Sequence, residues 1–177
     1  AGGRAHSLRA FQEARQHYSH ALALLDPLEP AEREQWAARL HLVRGWAEYD
    51  LDRPEPAVAE FRLSVGHARA AGLAKEHCDA LMAESVVAHF DGRFADSRRL
   101  DEELLRVAQA SGDNANIALA LLSLAGGEQA AGRAAAALEL CGRAAPLLEP
   151  GSPPNLHAMY LEIPAHCAVL ESRYEQA

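Results

Sequence analysis

Nine histidines and three cysteines are the residues of this chain best suited to chemistry, and their spacing decides whether they do any. His17 and His20 are three apart, which on a helix puts both on one face, but no suitable third ligand follows nearby. His77-Cys78 and His166-Cys167 are adjacent pairs, and adjacent helical residues point about 100° apart. Cys78, Cys141 and Cys167 are odd in number and widely spaced, so they make neither a disulfide framework nor a CxxC metal site. Cys78 and Cys167 read as small packing residues. A nucleophile elbow, a phosphate loop, an HExxH motif and paired catalytic carboxylates are all missing from the sequence. Asp101-Glu102-Glu103 reads as a solvated helix face. The expectation is a protein that is not an enzyme, with no catalytic, cofactor-binding or metal residues and no cofactor. A helical metal enzyme is the remotest alternative, because only folding could assemble its ligands.

Bulk charge narrows the partners. The formal charge of −8 argues against direct nucleic-acid contact, since phosphate binding wants clustered positive charge. No apolar run reaches the roughly 18 residues of a membrane span. Cysteine usage and the absence of a secretory signal point to a cytoplasmic, reducing setting. The chain begins Ala1-Gly2-Gly3 rather than with Met and stops just after Arg173, from which a fragment of a longer protein is expected.

The elements that would position any site follow a period. Arg53, Arg93, Arg133 and Arg173 are forty residues apart, each after a turn or cap residue: Asp52, Gly92, Gly132 and Ser172. A period of this length marks stacked helical hairpins. Helices are expected over about 7–25, 31–50, 54–71, 74–90, 94–110, 114–131, 133–148 and 155–171, with Pro164 kinking the last. A further hairpin arm is expected to open at Arg173. Pro54 suits the first position of a helix, and Gly72 its C-terminal cap. The array spans 1–177, with an incomplete repeat at 7–30, repeats at 31–72, 73–112 and 113–152, and another incomplete repeat at 153–177.

Setting the registers side by side gives columns with steric meaning. Before each Arg stand His41, Leu81, Leu121 and Leu161, then the small Gly45, Ser85, Ala125 and Ala165; after it stand Ala57, Ser97, Ala137 and Ala177. A large residue followed four later by a small one lets a helix nest on its partner. This arrangement resembles the tetratricopeptide repeat, most closely at Ala14-x3-Tyr18-x2-Ala21 and Ala57-x3-Phe61; Asp101 and Cys141 replace the second aromatic elsewhere. The resemblance implies an all-α, right-handed α-α superhelix of antiparallel helix hairpins. The forty-residue period and the Gly closures resemble the repeats of bacterial regulators of the LuxR and maltose-activator type. That likeness implies a sensor or regulatory segment of a transcription regulator; the alternative is a free-standing scaffold that assembles a multiprotein complex.

The resemblance also implies a concave groove lined by the first helix of each hairpin. Its columns hold Arg39, Leu42, Trp46 and Tyr49, then Asp79, Met82, Val86 and His89, then Leu122 and Gln129, as the partner-binding set. Trp, Tyr, Met and Arg are the types that anchor partners, so a protein or peptide ligand is expected there. Leu122, Val86 and Phe90 have packing between hairpins as their competing role. Gly126-Gly127 inside a helix is read as close helix approach, with room for a ligand backbone as the sharper reading. Apolar faces exposed at the ends of the array could drive self-association.

Overall fold

The computed structural model describes residues 2–175, and the side chains of residues 8–169. Among them the chain is helical throughout, with no strand: α1 (Gly2–Ala23), α2 (Pro30–Asp50), α3 (Pro54–Ala70), α4 (Ala74–Phe90), α5 (Phe94–Ser111), α6 (Asn114–Ala130), α7 (Ala134–Ala144) and α8 (Pro154–Glu175). No described helix is long and apolar enough to cross a membrane. The chain divides into two compact units, Ala1–Arg93 and Phe94–Ala177. Within the first, α1 packs on α2, α2 on α3, α3 on α4, and α2 also meets α4. Within the second, α5 packs on α6, α6 on α7, and α8 on both α6 and α7.

One backbone device ends five helices. Asp52, Gly72, Gly92, Gly112 and Gly132 adopt φ between 61 and 74°, and they stand twenty residues apart. At each, the N–H of that residue bonds back three residues, and the next N–H bonds back five. Arg93 N–H reaches the Ala88 carbonyl at 2.8 Å and Arg133 N–H reaches that of Glu128 at 2.9 Å. This Schellman arrangement satisfies carbonyls that the helix end would otherwise orphan. Glycine adopts the left-handed conformation without a Cβ penalty, whereas Asp52 holds it at a cost.

Helix starts follow local chemistry as well. Pro30 opens α2 and Pro54 opens α3, where a missing N–H is harmless. The Asp113 carboxylate caps α6 by accepting from the Asn116 N–H at 3.1 Å. Several boundaries differ from expectation, and α1 begins at Gly2 rather than near residue 7. α1 closes at Ala23, ahead of Pro27, which disfavours helix in the residue before it. α7 stops at Ala144 and tightens into a 3-10 turn over Ala145–Leu147, because Pro146 has no N–H for the next α-type bond. α8 continues through Pro164 and past Ser172 and Arg173, so the expected hairpin arm does not open at Arg173; Ala177 lies outside the described residues. A serine is a poor helix terminator compared with the glycine or aspartate found at the other turns.

Small residues set how closely the helices approach. Gly45, Ser85 and Ala125 are buried, as are Ala57, Ser97 and Ala137. A Cβ built on Gly45 would run into the Phe61 ring, so this α2–α3 contact requires glycine. The first unit's core joins Ala57, Val58 and Phe61 to Ala83 and Val87, with Leu42, Trp46 and Tyr49 packed against it. The second unit's core gathers Leu121, Leu122, Ala125, Ala137, Cys141, Leu156, Ile163 and Cys167. Leu161 and Ala165 break the column: Leu161 is 68% exposed and Ala165 is exposed too. Their equivalents in α2 and α6 face the following helix, whereas the buried stripe of α8 is Leu156, Ile163 and Cys167, which pack with α6 and α7.

Replacing Asp52 by Gly should stabilise the first unit by about 0.5–1 kcal/mol, because it removes left-handed strain at unchanged hydrogen bonding. Gly92→Val should destabilise by more than about 1 kcal/mol for the opposite reason. Urea midpoints of the two variants would show opposite shifts; equal shifts would refute the strain argument.

Candidate functional site

The expected groove residues lie on exposed or half-buried faces, with one exception. Leu122 is 0% exposed and belongs to the core of the second unit, so it offers a partner no surface. α6 is apolar on nearly all sides, with Ala118, Leu121, Leu122 and Ala125 all inside, which leaves no polar stripe to orient Leu122 outward. In the first unit, Leu42, Trp46 and Tyr49 are half-buried against the core, and Trp46 stands edge-on to Phe61 at 5.2 Å and to Tyr49 at 5.9 Å. Met82 and Val86 are half-buried on α4, and His89 meets Phe90 edge-on at 5.9 Å. Phe90, for which packing was the competing role, is instead 74% exposed. Gln129 is half-buried near the end of α6, where its carbonyl receives the Gly132 N–H at 2.9 Å.

Arg39 and Asp79 have partners within the chain. Arg39 grips Glu76 Oε1 through Nε at 2.9 Å and Nη2 at 2.7 Å, joining α2 to α4, and its guanidinium lies 5.9 Å from the Trp36 ring centre. Asp79 accepts from Lys75 one turn earlier at 2.7 Å. Burial raises the Glu76 pKa, but the Arg39 bond and a backbone hydrogen bond, with lesser help from Lys75, outweigh it and hold the carboxyl below its ordinary value. These residues brace the α2/α4 face rather than leaving loose charges on it.

Sequence reasoning passed over a set of buried carboxylates on α2 and α6. Glu128 is buried near the C-terminus of α6 and is clamped by Arg133, just past the turn, and by Arg98 of α5. Arg133's hydrogen bond lowers the Glu128 pKa against the effect of burial, and Arg98 adds to it. Glu48 holds the same place in α2, between Arg53 at 2.8 Å and Arg15 of α1 at 3.6 Å. Its Oε2 has no aligned donor, so that clamp is electrostatic rather than hydrogen-bonded. In the intervening register Val58 and Ala88 stand where Arg98 and Glu128 do, both buried. The signal was legible: Glu48 and Glu128 each precede a landmark arginine by the same five residues.

A second polar cluster lies between α2 and α3. His41 and His67 stack at 5.2 Å, nearly parallel at 5°. His41 Nδ1 is 2.8 Å from Glu60, and His67 Nδ1 is 2.6 Å from Glu34. Arg44 grips Glu60 at 2.7 and 2.8 Å and reaches Ser19 of α1 at 3.3 Å. Burial raises the Glu60 pKa, but the bonds from His41 and Arg44 outweigh it and hold it below the ordinary value. Both imidazoles carry carboxylate partners, so the cluster ties helices together.

The remaining chemistry-bearing residues are either exposed or buried in packing roles. His17 and His20 are both exposed. Cys78, Cys141 and Cys167 are buried and form no disulfide, and burial pushes the Cys141 thiol upward, with Cys167 adding a smaller effect. No group of three metal-binding side chains forms among the described residues. Asp101, expected on a solvated face, is instead 4% exposed, because it occupies the inward position held by Phe61 and Cys141 in the neighbouring registers. Close approach does not explain Gly126 and Gly127 either: a Cβ at each would meet nothing within 4 Å. At the C-terminal ends of α2 and α4, Tyr49, Asp50, Asp52, Pro54 and Asp91 line an open cavity of about 450 Å³.

No family model and no curated protein matches this chain.

Two outcomes test these assignments. Gly126→Ala and Gly127→Ala should each stabilise the second unit by about 0.5–1 kcal/mol, since a helical glycine costs that much and the added methyl meets open space. Gly45→Ala should cost about 1–3 kcal/mol through overpacking on Phe61. Thermal midpoints moving in the same direction would refute the contrast. The Glu128 pKa is depressed in the fold, so its stabilisation is complete above the ordinary carboxylate value of 4.5 and disappears as pH falls below that. Glu128→Gln should therefore lower stability near neutrality and flatten its decline between about pH 5 and pH 3, as read from urea midpoints at each pH.

Proposed function

We propose that this chain is a protein- or peptide-binding array of tetratricopeptide-like hairpins, an all-α right-handed superhelix that works by presenting helix faces. The observation that carries the reading is the set of five left-handed helix ends at twenty-residue intervals. A constant interval between turns makes the four helices between them, α3 to α6, nearly the same length, which is what stacked hairpins need. Buried Gly, Ala and Ser at the matching registers support it, since they allow the close nesting such hairpins use.

The binding surface in this reading is the α2/α4 face of the first unit, with Met82, Val86 and Phe90 as its apolar members. Arg39, Asp79 and His89 border it. Trp46 and Tyr49 shape it from beneath, because both pack on the core. The chain serves as the sensor or regulatory segment of a transcription regulator, an assignment supported by the forty-residue period and its resemblance to bacterial regulators of that kind. It binds without catalysis, and its ligand is a protein segment rather than a nucleic acid, in keeping with the charge of −8.

Small-angle scattering should give a radius of gyration clearly above the about 16 Å of a compact domain of this length; a value at that level would sink the superhelix. Peptides selected against the chain from a displayed random library should lose binding to Met82→Glu and Val86→Glu variants at unchanged helicity. Trp46 is a poorer probe, since its replacement would also disturb Phe61. Peptides indifferent to both α4 substitutions would move the binding surface elsewhere.

A further inference from the structure

Met82, Val86 and Phe90 are four residues apart and share one face of α4. Phe90 is the most exposed large apolar side chain on that helix, at 74%. Asp91, the next residue, lines the open cavity together with Tyr49, Asp50, Asp52 and Pro54. The apolar face thus ends at Phe90, one residue before the cavity that three aspartates, Tyr49 and Pro54 line. The C-terminal ends of α2, at Asp50, and of α4, at Phe90, border the same space. Helix C-termini carry partial negative charge, which adds to that of the carboxylates.

Among the described residues, Asp91 of this cavity has a cationic partner and Asp50 and Asp52 have none. Arg93 pairs with Asp91 at 3.1 Å, both side chains being partly exposed. Arg53 is directed to Glu48 instead. A phosphorylated or acidic segment would be repelled here, and so would a free C-terminal carboxylate. A guanidinium or ammonium group would find carboxylates on several sides and the Tyr49 ring beside it.

We propose that this face docks a protein segment in which apolar side chains stand beside an arginine or lysine. The apolar part lies on Met82, Val86 and Phe90, and the cationic head enters the Asp50–Asp52–Asp91 cavity. The proposal rests on the α2/α4 face being the binding surface, and charge complementarity identifies the guest. Without the apolar partner the aspartates would hold a cation only as loosely as any solvated carboxylates do.

The test uses the whole chain and peptides selected against it from a displayed random library. Selected peptides should carry Arg or Lys next to apolar residues. Their affinity should fall about tenfold towards an Asp50→Asn/Asp52→Asn double variant, and about as much when the peptide's basic residue becomes Gln. Asn tolerates the left-handed backbone at position 52, and an unchanged thermal midpoint of the double variant verifies that the fold is intact. Peptides without a basic residue, or with unchanged affinity for the double variant, would overturn the cationic anchor. If such peptides still fail to bind Met82→Glu, the α2/α4 surface stands and only the anchor falls. Peptides blind to both changes, or no enrichment at all, would overturn both. Equal binding of a scrambled peptide would reduce the effect to bulk charge and also overturn the proposal.

Discussion

A residue with positive φ at the ends of α2 to α6 is the constraint from which much of each unit follows. The paired backward bonds at Gly72, Gly92, Gly112 and Gly132 close a helix within two residues. The next helix can then start at once, without a long connection whose ordering would cost entropy. Helix length is therefore set by turn spacing, not by side-chain propensity. Ala-rich α7 would otherwise run further; its end comes from Pro146 and not from a glycine.

Short turns force neighbouring helices close together, and the core is built accordingly. Ala, Ser, Gly and Cys occupy most interior positions, with a few large side chains such as Phe61, Leu81 and Leu104 filling what the small ones leave. Phe61 illustrates the dependence: its ring sits where a Gly45 side chain would be. Burying one such ring contributes about 2–3 kcal/mol, and it is available only because the facing residue has no side chain. The same ring supports Trp46, which in turn meets Tyr49 beside the aspartate cavity. Core geometry and surface geometry are thus connected through three aromatic rings.

Most of the helical plan was legible because it rests on local chemistry. Asp52, Gly72, Gly92 and Gly132 announce turns by residue type, and Pro54 announces a helix start. The misreadings involve neighbours remote in sequence. Asp101 looked solvated beside Glu102 and Glu103, yet its register faces inward. Gly126 and Gly127 looked like a close approach, yet nothing lies within 4 Å of where a methyl would go. Leu161 and Ala165 fit the nesting column by type and still lie open, because α8 turns Leu156, Ile163 and Cys167 inward instead. Leu122 illustrates the converse: on a helix apolar nearly all round, residue type cannot say which face is out. The cavity at Tyr49, Asp50, Asp52 and Asp91 was hidden for a related reason, as its walls come from two turns forty residues apart.

The clamped carboxylates have an evolutionary implication. Glu128 with Arg98 and Val58 with Ala88 are two solutions at equivalent registers, one ionic and one apolar. Passing between them takes two substitutions, and the order is not symmetric. Losing Arg98 first strands part of the compensation of a buried carboxylate, although Arg133 still holds it; losing Glu128 first frees arginines that are about half exposed and can rehydrate. Divergence among such repeats should accordingly pass through the acid before the base. Intermediate sequences along that path would carry surplus positive charge rather than a buried negative one.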